Sequence, residues 1–427
     1  MFTSNTSPVE TPSSPVFNEK HIEESPPSSP VHIANPVISS AEFVLEQTNV
    51  VKINNDAVKK AAQYILRKLS SESYTPRTWR THPLHIFPPE PYDPDDIVTG
   101  ACLNWIFLIS SLNFSFWSEK EGQPDRYGVE WRTSWGSETT TVHTGYWSLV
   151  AALNRALEEG IPIIDPRFYS SETLCPDSLI AHIFRAAPQS TEPVPLFNER
   201  LAIMREVGTK LCNVSFSLYV CILVFIAAQE FGGSYLGFLD AFQRRHSNQG
   251  TALDLVQFVT DSFPSFRDEQ LFNGRRVCFW KRPQILVAET WAAFYPENAH
   301  TPHPIFPGLS GPLISDLTMF ADYRVPQILH HLRILTYPAS LIRKLRNGTE
   351  LGLGSKEEMS LRAASIIAVE QIRNEIISCE SNWEASSVLI DFYLWDLAKK
   401  LERGEERIDG IDTDDIEPAH RTRSIWY

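Results

Sequence analysis

Apolar residues recur along this chain at helical spacing far more often than they alternate. Val58, Ala61, Ala62, Ile65 and Leu69 fall three or four apart and define one face of a helix beginning near Asn55. Trp147, Val150, Ala151, Leu153, Ala156 and Leu157 repeat the pattern after Gly145, and Gly160 is placed to end that helix. Residues 95–111 are apolar enough for a helix buried on all sides. The pattern predicts further helices over about 177–186, 196–212, 234–246, 251–263, 355–379 and 384–403. Pro283 and Pro326 each suit a first helical turn, followed by apolar runs such as Ile328, Leu329, Leu332 and Leu335. Alternating or β-rich stretches are short: 113–117, 127–131 and 139–143. With no βα rhythm and no Gly-rich nucleotide loop, the expected fold class is mainly α with a small antiparallel β element.

Two stretches break the pattern. Residues 1–42 carry TPSSP and PPSSP runs with almost no aromatics, and such a composition cannot bury enough surface to offset its ordering entropy. They read as a disordered Ser/Pro-rich tail. Residues 214–228 are almost wholly apolar without an amphipathic period, yet short of the roughly 20 residues that span a bilayer. Residues 296–312 and 402–417 read as a loop and a solvated connection.

Composition narrows the function. The 427 residues include 11 Trp and 24 Phe, ample for a large core. The net charge of −14 argues against direct nucleic-acid binding, which needs Lys and Arg to neutralise phosphates, but leaves a single nucleotide open as a ligand. The six Cys lie far apart, with no Cys/His spacing suited to a metal. They read as reduced thiols of an intracellular protein, and neither metal nor cofactor is expected. No apolar signal-peptide core opens the chain.

The chemistry lies in isolated acids. Asp322 sits between Phe320 and Tyr323 on the segment entering the Pro326 helix. A carboxylate there is a buried cap or a working group, and caps are the commoner case. Asp391 and Asp396 interrupt the apolar run 388–396, although acids are rarely buried without partners. Five residues separate them, roughly 140° around a helix, so a shared pocket must wrap the helix or meet a frayed first turn. Lys281 and Arg282 open another helix, where positive charge is disfavoured unless an anion is near. They are solvated basic residues or contacts to a phosphate.

MFADYRVPQIL (319–329) and LIDFYLWD (389–396) resemble the signature segments of the queuosine salvage proteins, the queuosine 5′-phosphate N-glycosidases. Segments 103–117, 145–163, 262–291 and the terminal HRTRSIWY (420–427) extend the resemblance from about residue 45 onward. It implies a helical fold like that of DNA glycosylases, with residues 43–427 forming a single N-glycosidase domain. It implies hydrolysis of queuosine 5′-monophosphate to release queuine, with Asp396 as nucleophile or cation stabiliser. Phe320, Asp322, Asp391 and Phe392 match base-contacting positions, and Phe392 stands where the family usually has Tyr. A base-site histidine in a Leu-His segment after a tryptophan is matched best by His85, with His82 as the alternative. Lys281 and Arg282 are the expected contacts to the 5′-phosphate. The family pattern runs almost directly from the 196–212 helix into Phe231-Gly-Gly, so residues 213–229 read as an insertion, either genuine or a translated intron. The expected partners are the small molecules alone, with no membrane, no direct nucleic acid, a monomeric state, and a cytoplasmic location with the nucleus also open. The competing reading is a non-catalytic module that binds a nucleobase or tRNA.

Overall fold

The computed structural model describes residues 35–216, 227–298, 300–380 and 385–427. Its helices, in chain order, are α1 (Pro36–Thr48), α2 (Asn55–Ser71), α3 (Ile97–Ser111), α4 (Tyr146–Glu158), α5 (Pro166–Tyr169), α6 (Asp177–Ile183) and α7 (Phe197–Cys212), then α8 (Tyr235–Arg245), α9 (Ala252–Ser262), α10 (Lys281–Ala293), α11 (Arg324–His331), α12 (Ala339–Arg346), α13 (Lys356–Cys379) and α14 (Ser387–Glu402). The strands pair in twos, all antiparallel: β1 (Lys52–Ile53) with β8 (Leu335–Thr336), β2 (Gly128–Arg132) with β3 (Thr140–Thr144), β4 (Val214–Phe216) with β5 (Ala227–Gln229), and β6 (Glu269–Phe272) with β7 (Arg275–Cys278). The fold is mainly α with small antiparallel ribbons. No helix among the described residues is long and apolar enough to cross a membrane.

Local chemistry explains the helix starts. Asn54 accepts from the amides of Asp56 and Ala57 to open α2, whose buried face is the expected Val58, Ala61, Ala62, Ile65 and Leu69. Ser386 accepts from the Leu389 amide at 3.2 Å to open α14. Helices α3 and α10 lie at the centre, and every residue of α10 is buried.

Three expectations fail. Residues 36–42, assigned to the tail, belong to α1: Asn35 caps it by accepting from the Val37 amide, and Val37, Ser40, Ala41 and Val44 are buried against the body. The earlier part of the expected tail lies outside the described residues. Residues 113–117 form no strand. Ser115 turns at φ 54 and donates to the Tyr427 carbonyl, while Trp117 donates to the Thr422 carbonyl. Docking of the terminal segment, rather than a ladder, buries this run on all sides. The third is an omission: Asn273-Gly274, both at positive φ, form the turn of the β6–β7 hairpin, a signal the periodicity reading passed over.

Residues 217–226 of the apparent insertion lie outside the described residues. Its flanks pair, with Phe216 opposite Ala227, so the chain leaves and returns side by side. The Gly233 amide then bonds the Leu211 carbonyl at 3.0 Å, closing the end of α7 as if the excursion were absent. Gly232 and Gly233 take φ +60 and +74, the left-handed conformation a helix end favours.

Candidate active site

A cavity of about 370 Å³ opens among α4, α10, α14, the 320–324 segment and residues 74–85. Its lining brings together Asp322, Asp391, Asp396, Phe320, Phe392, Lys281, His82 and His85. Of the sequence candidates only Arg282 is absent from the wall. The cavity wraps α14, which resolves the five-residue offset between Asp391 and Asp396.

Asp391 lies on the second turn of α14, buried, and its Oδ1 accepts from the Phe320 amide at 3.0 Å. Asp322 does act as a cap: its Oδ1 accepts from the Arg324 and Val325 amides at 2.8 Å each. It lines the cavity as well, so the structural and functional readings are not exclusive. Burial raises both carboxyls, Asp391 well above the usual carboxylate range with Asp322 adding repulsion. The buried Lys281 ammonium opposes that rise. Its Nζ donates to the Asn113 carbonyl at 3.0 Å and to Asn113 Oδ1 at 3.1 Å, and burial lowers its pKa to about 8 against the attraction of Asp322.

Asp396 stands apart from this group. Its Oδ2 accepts from the Tyr74 hydroxyl at 2.6 Å. Burial raises its pKa, and the Tyr74 bond, Lys400 and Arg403 pull it back. Lys399, one helical turn on, also lines the cavity, as does Arg324. These two cations share Glu402, at 2.8 Å from Lys399 and 3.2 Å from Arg324, and burial lowers the Lys399 pKa with the Arg324 charge adding to the drop. The Nε of Arg324 is buried without a hydrogen-bond partner.

Aromatic rings complete the walls. Phe320 and Phe392 meet at 6.0 Å and 55°, a corner against which a flat base can lie. His82 stacks on Trp147 at 3.5 Å, and His85 stacks on Trp79 at 4.2 Å with its Nδ1 2.8 Å from the Trp79 carbonyl. Burial drives both imidazoles down, His82 to about 3 and His85 to about 4, so both are neutral near pH 7. Both line the cavity, and the geometry separates them in one respect: His85 Nε2 is buried without a hydrogen-bond partner.

Arg282 corrects an expectation. Its guanidinium donates to the carbonyls of Ser111 and Ser265 and lies over the rings of Phe114 and Phe266. It is a structural tie between α3 and the loop before β6, buried and outside the cavity lining. The anion that relieves positive charge at the start of α10 is the protein's own Asp268, which accepts from the Lys281 amide at 3.4 Å and pairs with Arg362.

The sequence reading missed Glu289, Tyr74, Arg324 and Lys399. A signal for Glu289 existed: Lys281, Ile285 and Glu289 follow at i, i+4, i+8, and all three line the cavity. Tyr74 carried no signal, since its partner is 322 residues away.

Fold and site together define a helical protein with a small-ligand pocket, walled by aromatics and holding several carboxyls. The chain belongs to the queuosine salvage protein family, whose pattern matches residues 93–427. It is 36% identical over 397 residues to the queuosine 5′-phosphate N-glycosylase/hydrolase of Schizosaccharomyces pombe, covering 92% of this chain and 99% of that protein. Proteins of the same name from Mus musculus and Sphaerobacter thermophilus are 35% and 33% identical, covering 91% and 92% of this chain and 97% of each relative.

Proposed function

We propose that this protein hydrolyses the N-glycosidic bond of queuosine 5′-monophosphate, releasing queuine for salvage into tRNA. The observation that carries the reading is the separation of carboxyls within one cavity. Asp396 is held by Tyr74 and nearby cations, whereas Asp322 and Asp391 share Lys281 beside the Phe320–Phe392 corner.

Departure of the base builds positive charge on the ribose. A carboxylate in a water-poor pocket stabilises that oxocarbenium-like state or attacks it covalently. Asp396 takes this role, because Tyr74, Lys400 and Arg403 favour its ionised form against burial. Asp322 and Asp391 accept the N–H groups of the guanine-like edge while the ring lies against Phe320 and Phe392. Lys281 is the counter-ion of those two acids rather than a phosphate contact. Arg324 and Lys399 are the better candidates for the 5′-phosphate, being cationic and cavity-lining, with Lys399 one helical turn from Asp396 and Arg324 joined to Lys399 through Glu402. His85 or His82 completes the base site.

Incubation with queuosine 5′-monophosphate and mass-spectrometric detection of free queuine tests the reading. Tight binding of the nucleotide without turnover would favour the non-catalytic alternative.

A further inference from the structure

We propose that Glu289, together with Tyr146 and Ser110, forms a subsite for the cationic amine arm that distinguishes queuine from plain 7-deazaguanine. The inference rests on the queuosine reading above and adds to it a determinant of base specificity.

The first argument is position. Lys281 and Glu289 are eight residues apart on α10, about 12 Å along the axis at roughly 1.5 Å per residue, and Ile285 between them lines the same wall. The base-reading acids act at the Lys281 end, where Asp322 and Asp391 attract its ammonium. Glu289 therefore stands further along the same wall than the edge they read, with the Lys281 ammonium between them close enough to act on it. A 7-deazaguanine ring, its one-carbon link to the amine and a hydrogen bond of about 2.9 Å at either end together span on the order of 12 Å. The arm of a base seated at the Lys281 end thus arrives at Glu289.

The second argument is missing charge. Glu289 is buried, and its carboxylate oxygens accept from two neutral hydroxyls, Ser110 Oγ at 3.2 Å and Tyr146 Oη at 3.4 Å, while the Trp79 indole and the more distant Lys281 ammonium also favour its charged form. No Lys, Arg or His side chain lies at ion-pair distance from it among the described residues. Acids buried in this way are seldom left without a cation. Burial pushes the Glu289 carboxyl up to about 7. An arriving ammonium supplies the absent partner, and the two hydroxyls remain able to bond the diol of the cyclopentene ring.

The third argument is the surroundings. Tyr146, Trp147 and Trp395 line the same cavity and meet one another edge to face, an aromatic surround that suits an organic cation. His82 and His85, both held neutral by burial, do not repel it.

The test compares affinities of the full-length protein for free queuine and for 7-deazaguanine by calorimetry. Glu289→Gln keeps the shape and removes the charge. The expected result is that the preference for queuine over 7-deazaguanine falls by about 10- to 100-fold, the range of a hydrogen bond to a charged group. Should that variant fail to fold, Tyr146→Phe carries the same comparison with a smaller loss of preference. An unchanged preference in either folded variant overturns the subsite, as does wild-type protein that binds the two bases equally. A wild-type protein that prefers queuine through Glu289 yet never cleaves the nucleotide would overturn the glycosidase reading and leave the subsite standing.

Discussion

Tyr74 donates its phenolic hydrogen to Asp396 Oδ2 at 2.6 Å, joining the residue just after α2 to the third turn of α14. Its ring also meets Tyr393 edge-on at 5.6 Å, which holds the hydroxyl in place. The bond matters because Asp396 is largely removed from water, and without a donor its ionised form would be disfavoured. Asp396→Asn keeps the shape and removes the charge, and kcat should fall by about 10²–10⁴ with queuine binding retained. Tyr74→Phe leaves Asp396 in place but raises its pKa, so the acidic limb of the kcat profile should move to higher pH. Near-normal turnover in folded Asp396→Asn would transfer the catalytic role to Asp322 or Asp391.

Binding of the base should release protons. Asp391 is held well above the usual carboxylate range by burial and by Asp322, which favours its protonated form. A base edge that donates hydrogen bonds needs the ionised form. Affinity for queuine therefore rises with pH through the raised pKa and levels off above it. Glu289, pushed up to about 7 by burial, contributes in the same direction when it meets the ammonium, while loss of the Lys281 charge near 8 bounds the window from above. Calorimetry in buffers of different ionisation heat measures the release directly. Proton uptake on binding would contradict the assignment, and Asp391→Asn should reduce the release.

The phosphate subsite separates by substrate. Lys399→Ala should impair cleavage of queuosine 5′-monophosphate by about 10-fold or more while affecting the nucleoside little, as expected for loss of one charged contact. Lys281→Ala should impair both alike, because its charge balances the base-reading acids. Selective damage to the nucleotide by Lys281→Ala would restore its phosphate role.

Removing residues 213–229 should leave the fold intact. The pairing of Phe216 with Ala227 brings the two flanks together, and the Gly233–Leu211 bond already closes α7. The shortened chain should melt within the roughly 2–4 °C that 1 kcal/mol moves a mid-sized domain. A larger fall, or loss of turnover, would show that the segment contributes to the body.

Truncation at the other end should discriminate sharply. A chain beginning at Asn35 should keep its melting temperature, whereas one beginning after Thr48 loses the buried Val37, Ala41 and Val44 and the Asn35–Gln284 hydrogen bond of 3.1 Å. The second should melt several degrees lower. Equal melting would return α1 to the tail.

Periodicity in the sequence determined most of the helices, because a helix that buries one face must repeat its apolar residues every three or four positions. The α2 stripe was legible for that reason. The acids Asp322, Asp391 and Asp396 were legible too, since charge inside an apolar run demands an explanation. Their roles were not, because role depends on partners distant in sequence: Tyr74 for Asp396, the Phe320 amide for Asp391, Lys281 for the pair. Lys281 and Arg282 show the limit most clearly. They are adjacent in sequence and alike in charge, yet successive residues of a helix point about 100° apart. One faces the cavity and the other is bound by backbone carbonyls of Ser111 and Ser265. Only the packing of α10 against α3 and the loop before β6 decides which is which.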